Sequence, residues 1–93
     1  MFFVTVKLHG KPENIIEITQ TLQGIAKKLK KVEECVDVQV YRMLNDENIF
    51  FFAEEWEEKL NLEKHIKSDL FAALRGIKGL LKKPPVITFM VKN

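Results

Sequence analysis

The sequence predicts an α+β fold in which helices cover one face of an antiparallel sheet. Three observations support it: strand-like alternation at both ends of the chain, helical periodicity between them, and turn residues between two central strands. The chain has 93 residues, of which 46% are hydrophobic and 30% are charged, with only 4 glycines and 3 prolines. This composition is typical of a globular protein, and the length predicts a single domain over residues 1–93.

The first strand is predicted from Phe2 to His9, and Gly10 ends it. Its alternate positions form two faces: Phe2, Val4, Val6 and Leu8 on one, and Phe3, Thr5, Lys7 and His9 on the other. Pro12 is typical of the first turn of a helix. A helix is predicted from about Glu13 to Lys31, because apolar residues recur there at spacings of three and four.

The next two strands are predicted to form an antiparallel hairpin. Valines alternate with polar residues from Val36 to about Leu44, and residues 45–48 supply turn chemistry. The third strand, Ile49 to Trp56, contains three successive phenylalanines. Period-two alternation divides this strand into two faces: Phe50, Phe52, Glu54 and Trp56 against Ile49, Phe51, Ala53 and Glu55. Both faces carry bulky apolar groups, so both need to be covered.

Helical periodicity returns in the last third of the chain. A short helix is predicted to end near Ile66, and Ser68 or Asp69 caps a second one. The second helix carries an apolar stripe: Leu70, Phe71, Leu74, Ile77 and Leu81. Two prolines end it, and residues 86–91 form a closing strand.

The order strand, helix, strand, strand, helix, strand is that of the ferredoxin-like fold, with both helical segments on one face of the sheet. A chain of this length supplies helices for one face only. The opposite face carries Phe3, Phe51 and Ala53, together with one side of the last strand. We expect this helix-free face to pack on a second copy of the chain in a twofold homodimer.

Charge and composition argue against several partners. The 15 basic and 13 acidic residues are spread along the chain and leave a net charge of +2, so no nucleic-acid interface is expected. Cys35 is the only cysteine, which indicates a reducing compartment. The N-terminal residues alternate like a strand, and no segment contains the roughly 18 successive apolar residues that a membrane span requires. We therefore expect no membrane contact and a cytoplasmic location.

Motifs for cofactors and metals are absent from the sequence. The glycines are scattered, so no loop resembles a phosphate-binding site and no nucleotide cofactor is implied. His9, His65 and Cys35 come from three different elements and do not form a zinc pattern. Ser68, the only serine, lacks the context of a nucleophile elbow. We therefore expect neither a bound cofactor nor a metal.

An aromatic wall with a few polar groups is the candidate site. Trp56 lies at the end of the phenylalanine-rich strand, on the same face as Glu54, and His65 on the following helix is placed to lean over it. If that face looks toward the helices, the space between them suits a flat, aromatic, hydrophobic ligand.

At these residues the chain resembles the antibiotic biosynthesis monooxygenase family. The similarity consists of Glu54-Glu55-Trp56 at a strand end, then Leu62, His65, Ser68 and Phe71 in a Leu-x-x-His-x-x-Ser-x-x-Phe spacing. Upstream, residues 35–42 are similar to the second strand of the family. The resemblance covers essentially the whole chain and implies a dimeric α/β barrel. The family includes cofactor-independent oxygenases of quinols and polycyclic phenols.

The resemblance also implies an activity. In related oxygenases the protein helps to deprotonate a phenolic substrate, and the resulting anion passes an electron to dioxygen. We assign the proton acceptor to His65 and substrate stacking to Trp56. The other residues expected to bind substrate are Phe50, Phe52, Glu54 and Phe71. A haem-degrading branch of the superfamily uses an Asn on the first strand, and none of the residues there is Asn, which argues against haem breakdown.

A structural interpretation stands beside each assignment. Trp56 equally suits filling the space between sheet and helix. For His65 a hydrogen bond to a backbone carbonyl or to the turn before Ser68 is favoured, and for Glu54 a pairing with a lysine or a backbone group. The alternative to a monooxygenase acting on a quinol or phenol is therefore a non-catalytic dimeric ligand-binding or stress-associated protein of the same fold. A cavity beside Trp56 and His65 favours the enzyme.

Overall fold

A computed structural model describes all residues, Met1–Asn93. The elements in chain order are β1 (Phe2–His9), a 3-10 turn (Pro12–Asn14), α1 (Ile15–Leu29), β2 (Cys35–Met43), β3 (Asp46–Trp56), α2 (Lys59–Ile66), α3 (Asp69–Arg75), a 3-10 helix (Gly76–Leu80) and β4 (Val86–Val91). This order confirms the predicted ferredoxin-like α+β fold, with the second helical segment divided into two helices and a 3-10 turn.

The four strands form one antiparallel sheet in the order β2-β3-β1-β4. β1 lies between β3 and β4, and its register with β3 runs from Phe2 opposite Trp56 to His9 opposite Ile49. The sheet of the single chain is open, with β2 and β4 at its two edges. No helix in the structure combines the length and apolar character that crossing a membrane requires.

Helix α1 packs on the sheet through one apolar stripe. Its buried residues are Ile18, Leu22, Ile25, Ala26 and Leu29. The helix is slightly shorter than predicted, because its start is the 3-10 turn over Pro12–Asn14 and it ends at Leu29. Lys27 and Lys28 occupy the last turn, where cations complement the helix dipole.

The core lies between the sheet and the helices and contains 17 buried hydrophobic residues. Alternation along β3 is confirmed, since Phe50, Phe52, Glu54 and Trp56 are each buried while Phe51, Ala53 and Glu55 between them are only partly buried. The α3 region contributes Phe71 and Leu74 to this core. The aromatic face of β3 therefore looks toward the helices.

The turn between β2 and β3 differs from the prediction. We expected residues 45–48 to form it, but only Leu44 and Asn45 do, and β3 already begins at Asp46. Two interactions hold the added residues in the strand: Arg42 donates from Nη2 to the Glu47 carbonyl at 2.6 Å, and Gly10 N–H donates to the Asn48 carbonyl at 2.8 Å. Polar residues that are typical of turns thus extend the hairpin.

The helix-free face of the sheet carries apolar side chains among the polar ones of Thr5, Lys7 and Glu55. Phe3, Phe51 and Ala53 lie there and are partly exposed. Further out on the same face, Tyr41 is 54% exposed and Met90 is 47% exposed. Since the helices pack on the opposite face, no other element of this chain covers these side chains.

Candidate functional site

The candidate site is a cluster of polar and aromatic side chains where β3 ends and α2 begins. Glu54 and Trp56 are two positions apart on one face of β3, so their side chains lie next to each other. Helix α2 brings His65 onto the same spot from above. Trp56 is 2% exposed, Glu54 2% and His65 6%. The three groups expected from the sequence are therefore in direct contact inside the protein.

The carboxylate of Glu54 binds both rings. Trp56 Nε1–H donates to Glu54 Oε1 at 3.0 Å. His65 Nε2 lies 2.8 Å from Oε1 and 3.0 Å from Oε2. The favoured sequence interpretation of Glu54 was thus wrong, because the carboxylate pairs with two ring nitrogens and with neither a lysine nor the backbone. A buried carboxylate needs such partners, since leaving it unpaired costs on the order of several kcal/mol.

The rings form a stacked column. The His65 and Trp56 rings are stacked with centroids 4.8 Å apart and planes inclined by 30°. Phe71 meets His65 edge-on, with centroids 5.4 Å apart and planes at 79°. The Arg75 guanidinium lies 4.9 Å from the centroid of the Phe71 ring. These contacts fix the plane of the imidazole from two sides.

Ser68 is the fourth polar member of the cluster. It is the N-cap of α3, where its Oγ accepts a bond from Phe71 N–H at 3.3 Å. The same hydroxyl donates to the His65 carbonyl at 2.6 Å, which satisfies a carbonyl at the end of α2. Its Oγ also lies 3.3 Å from His65 Nδ1. Both nitrogens of the imidazole therefore face protein oxygens, and no buried side-chain nitrogen or oxygen lacks a partner.

A cleft of about 280 Å³ opens beside this cluster. It is lined by Val32, Glu34, Trp56, Asn61, Lys64, His65, Ser68 and Leu70. The lining combines apolar side chains with the polar cluster and with the polar groups of Glu34, Asn61 and Lys64. Such a cleft is suited to a small flat ligand that carries one or two polar groups.

The structure brings together only part of the predicted binding set. Trp56 and His65 line the cleft, and Glu54 lies behind them as their shared partner. Phe50, Phe52 and Phe71 do not line it, because their side chains are fully buried in the core. Phe71 reaches the site only through its edge-on contact with His65.

Sequence reasoning missed the roles of several residues. Ser68 was recognised as a helix cap, although its spacing of three from His65 is also the signal that places it beside the imidazole. Val32 and Leu70 come from segments that flank the site, α1–β2 and α3, and nothing in their local pattern indicated a cleft. Asn61 on α2 also lies in the lining.

Cys35 lies behind the site on β2, opposite Trp56 in the strand register. Its thiol donates to the Asp37 carbonyl at 3.4 Å and approaches the Glu55 carbonyl at 3.9 Å. Burial, with the negative charge of Glu54 as a second cause, raises the pKa of this thiol to about 11. The thiol is therefore a poor nucleophile at neutral pH.

The structure contains no group of three or more His, Cys, Asp or Glu side chains arranged to hold a metal ion. His65 and Glu54 form a pair, and their neighbours are an indole N–H and a hydroxyl, which are not a metal-binding set. A carboxylate–imidazole pair of this kind can accept and hold a proton.

The fold and the site define a ferredoxin-like protein with a Glu–His pair beside an aromatic cleft. The sequence profile of the family described as "Antibiotic biosynthesis monooxygenase" matches residues 1–76. The chain belongs to this family. No curated protein matches the chain.

Solved structures of the same fold cover nearly the whole chain. A conserved protein of Methanosarcina mazei Go1 is 29% identical, with a TM-score of 0.90, over 99% of this chain and 92% of that one. A protein described as an antibiotic biosynthesis monooxygenase is 20% identical, with a TM-score of 0.88, over 100% and 99% of the two chains. A proposed monooxygenase of this kind from Deinococcus radiodurans is 20% identical, with a TM-score of 0.89, over 100% and 93%. The two less similar structures support the fold alone.

Proposed function

We propose that this protein is a cofactor-independent monooxygenase that acts on a quinol or another phenolic aromatic compound. Family membership supports the reaction class. The observation that carries the proposal is the buried Glu54–His65 pair, which stacks on Trp56 at the wall of a cleft of about 280 Å³.

The substrate ring is proposed to enter the cleft edge first and to pack on its apolar lining, Val32 and Leu70, next to the buried Trp56. A volume of about 280 Å³ accommodates one or two fused six-membered rings. The substrate hydroxyl then lies on the polar side of the cleft, near Ser68 and the imidazole of His65. Binding of this kind orients the phenol and excludes water from it.

The proton acceptor is proposed to be His65 at Nδ1. Glu54 occupies Nε2, and an imidazole whose Nε2–H is bound by a carboxylate keeps its lone pair on Nδ1. When the phenol transfers its proton to Nδ1, the carboxylate compensates the positive charge that forms on the ring. Trp56 supports the carboxylate by donating a hydrogen bond to it.

The remaining chemistry belongs to the substrate. The phenolate passes an electron to dioxygen, the two radicals combine at a ring carbon, and loss of water leaves a quinone. One phenol and one dioxygen thus give one quinone and one water, and the proton held by His65 returns in that water. The protein supplies binding, deprotonation and orientation.

Dioxygen uptake tests this function. We expect the protein to accelerate dioxygen consumption by a naphthoquinol above the spontaneous rate, with a chelator present and no flavin added. His65→Gln should lower the rate at least tenfold, because the loss of a general base typically lowers a rate by a factor of roughly 10²–10⁴. His9→Gln is the matched control, since His9 is the only other histidine and lies on the helix-free face.

Uptake at the spontaneous rate with a panel of quinols and phenols would contradict an enzymatic role. If such compounds nevertheless bound in the cleft, the alternative function, a non-catalytic ligand-binding protein, would replace it.

We further propose that the chain forms a homodimer through its helix-free sheet face. Phe3, Phe51 and Ala53 lie on that face, and no helix of the chain covers them. Two such faces packed on each other would close a barrel between the open sheets and bury these side chains.

Sedimentation velocity at micromolar concentration tests the dimer. The wild-type chain should sediment as a dimer and Phe51→Glu as a folded monomer, because a carboxylate at the centre of the interface would be buried without a partner. Leu44→Glu, in the turn before β3 and 97% exposed, should leave the dimer intact. A wild-type chain that sediments as a monomer would contradict this assembly.

A further inference from the structure

We infer that Ser68 is a positioning residue for His65: its Oγ accepts a hydrogen bond from Nδ1–H and so makes the doubly protonated imidazole the fully paired form of the site. This inference rests on the proposed function only in the use that the reaction makes of the proton. The hydrogen-bond geometry of Ser68 carries it.

A serine hydroxyl has one proton to donate and two lone pairs that accept. The proton of Ser68 points to the His65 carbonyl, because that contact at 2.6 Å is the shortest that Oγ makes. One lone pair accepts Phe71 N–H at 3.3 Å. The second lone pair is left for the remaining contact of Oγ, His65 Nδ1 at 3.3 Å. That contact is therefore a hydrogen bond only when Nδ1 carries a proton.

On the other side of the ring, Glu54 requires a proton on Nε2. The Glu54 carboxylate lies 2.8 Å from Nε2 and accepts Trp56 Nε1–H as well, so it serves as an acceptor for both rings. A neutral imidazole has only one N–H and can satisfy either Glu54 or Ser68. A doubly protonated imidazole satisfies both. Since the ring is only 6% exposed, little of it is open to water that could replace the missing bond.

Few other charges reach the imidazole. Glu54 comes from β3, and the Cys35 thiol on β2 lies behind that carboxylate. Lys64 on α2 and Glu34 before β2 line the cleft, and Arg75 on α3 is separated from the ring by Phe71. Ser68 is the only uncharged side chain that faces a ring nitrogen of His65, so its contribution can be removed without changing the net charge of the site.

The consequence for the reaction concerns the proton received from the phenol. In the proton-accepting form the ring donates from Nε2 to Glu54, and the Nδ1 lone pair faces a lone pair of Ser68. Proton uptake converts this unfavourable contact into a hydrogen bond. Ser68 thus acts through His65, because it lowers the energy of the state in which Nδ1 holds the substrate proton.

Two substitutions separate this role from helix capping. Ser68→Gly removes Oγ but keeps a residue that caps helices almost as well. Ser68→Thr keeps a hydroxyl at the same position. The measurement is the nitrogen-15 NMR spectrum of the two histidines at one fixed pH near 6.5, which separates doubly protonated from neutral rings. His9 serves as the internal reference.

We expect the doubly protonated fraction of His65 to fall severalfold in Ser68→Gly, to be restored in Ser68→Thr, and to stay unchanged for His9 in both. An equal fraction in wild type and Ser68→Gly would overturn the inference, as would a loss in Ser68→Thr equal to that in Ser68→Gly. Because the spectrum is recorded without substrate, it decides the role of Ser68 even if no quinol is turned over. Where turnover is measured, the glycine variant should show a lower kcat at an unchanged KM.

Discussion

Trp56 and His65 bind the same carboxylate while their rings are stacked 4.8 Å apart. Each ring presents an N–H or a ring nitrogen to Glu54, so the stacking distance and the two hydrogen bonds are satisfied by one arrangement. Three residues from two elements are thereby held in a fixed geometry at the wall of the cleft. Because the two hydrogen bonds and the stacking contact involve the same three side chains, removing one of these side chains disturbs the other two.

Removing the buried Glu54 carboxylate should lower the free energy of unfolding by more than removing an exposed charged side chain would. Glu54→Ala leaves the Trp56 N–H and His65 Nε2 buried without a partner, and we expect a loss of about 3 kcal/mol in the free energy of unfolding. Glu54→Gln keeps an acceptor for Trp56 and should lose about 1 kcal/mol. Urea unfolding followed by circular dichroism measures both.

The adjacent residue provides the control for this pair. Glu55 lies on the opposite face of β3 and is partly exposed, so Glu55→Ala should change the free energy of unfolding by no more than about 0.5 kcal/mol. Equal losses for Glu54→Ala and Glu55→Ala would contradict the shared-carboxylate arrangement.

The sequence predicted the fold well because two periodicities were clear. Alternation along β3 placed Phe50 and Trp56 on the helix side, and the stripe of α1 placed Leu22 in the core, as the structure has them. The same alternation could not distinguish residues of the core from residues that line the cleft. Phe50 and Trp56 share a face, but only Trp56, at the end of the strand, lines the cleft. That difference depends on where α2 and α3 end over the sheet, which local pattern does not encode.

The partners of polar side chains were harder to predict than the positions of apolar ones. Glu54 had several lysines as candidate partners in the sequence, and only the three-dimensional approach of α2 selects His65. Similarly, the polar residues before Ile49 were assigned to a turn, because composition does not reveal that Arg42 binds the Glu47 carbonyl and extends the strand. Hydrogen bonds between distant elements decide both cases.

Phe71 should be a stability residue, although the sequence suggested that it binds substrate. Its ring is fully buried and meets the edge of His65. Phe71→Leu should lower the free energy of unfolding by about 1–2 kcal/mol, because it leaves a small cavity and removes the edge-on contact. Ligand affinity for the cleft should stay within twofold of wild type. A large loss of affinity without a loss of stability would restore Phe71 as a binding residue.

Binding in the cleft is measurable by fluorescence, because Trp56 is the only tryptophan of the chain. A naphthoquinone that enters the cleft should quench its emission with a saturable titration curve. Leu70→Glu places a charge in the cleft lining and should weaken binding about tenfold. Phe89→Ser alters a separate apolar groove of about 350 Å³ between α2 and β4 and should leave the curve unchanged. The reverse result would place the ligand in that groove.

Cys35 should react slowly with alkylating reagents. Burial and the charge of Glu54 raise its pKa from 9.0 to about 11, so well below both values the thiolate is about a hundredfold rarer than in the unfolded chain. The rate of iodoacetamide labelling at pH 8, compared between native and urea-unfolded protein, measures this difference. Comparable rates would contradict the buried placement of the thiol.

The same pKa shift sets a dependence of stability on pH. Between pH 9.0 and about 11 the unfolded chain loses the thiol proton while the folded chain keeps it, so unfolding becomes more favourable as the pH rises through this range. Cys35→Ala removes this contribution. The difference in unfolding midpoint between wild type and Cys35→Ala should therefore shift in favour of the variant as the pH rises from 8 to 10.

Two glycines should respond in opposite directions to the same substitution. A Cβ on Gly10 would lie 2.6 Å from Ile18 Cδ1 and 3.0 Å from Ile15 Cδ1, and Ile18 is fully buried, so its side chain has little room to move. Gly10→Ala should therefore lower the free energy of unfolding by about 1–3 kcal/mol. Gly24 lies inside α1, and apart from its chain neighbours and the backbone of its own helix no atom lies within 4 Å of its Cβ position. Gly24→Ala should therefore raise the free energy of unfolding by about 1 kcal/mol through helix propensity alone. Urea denaturation of both variants against wild type measures the signs. If Gly10→Ala were as stable as Gly24→Ala, the close packing of α1 on the end of β1, and with it the placement of the helical layer over the sheet, would be wrong.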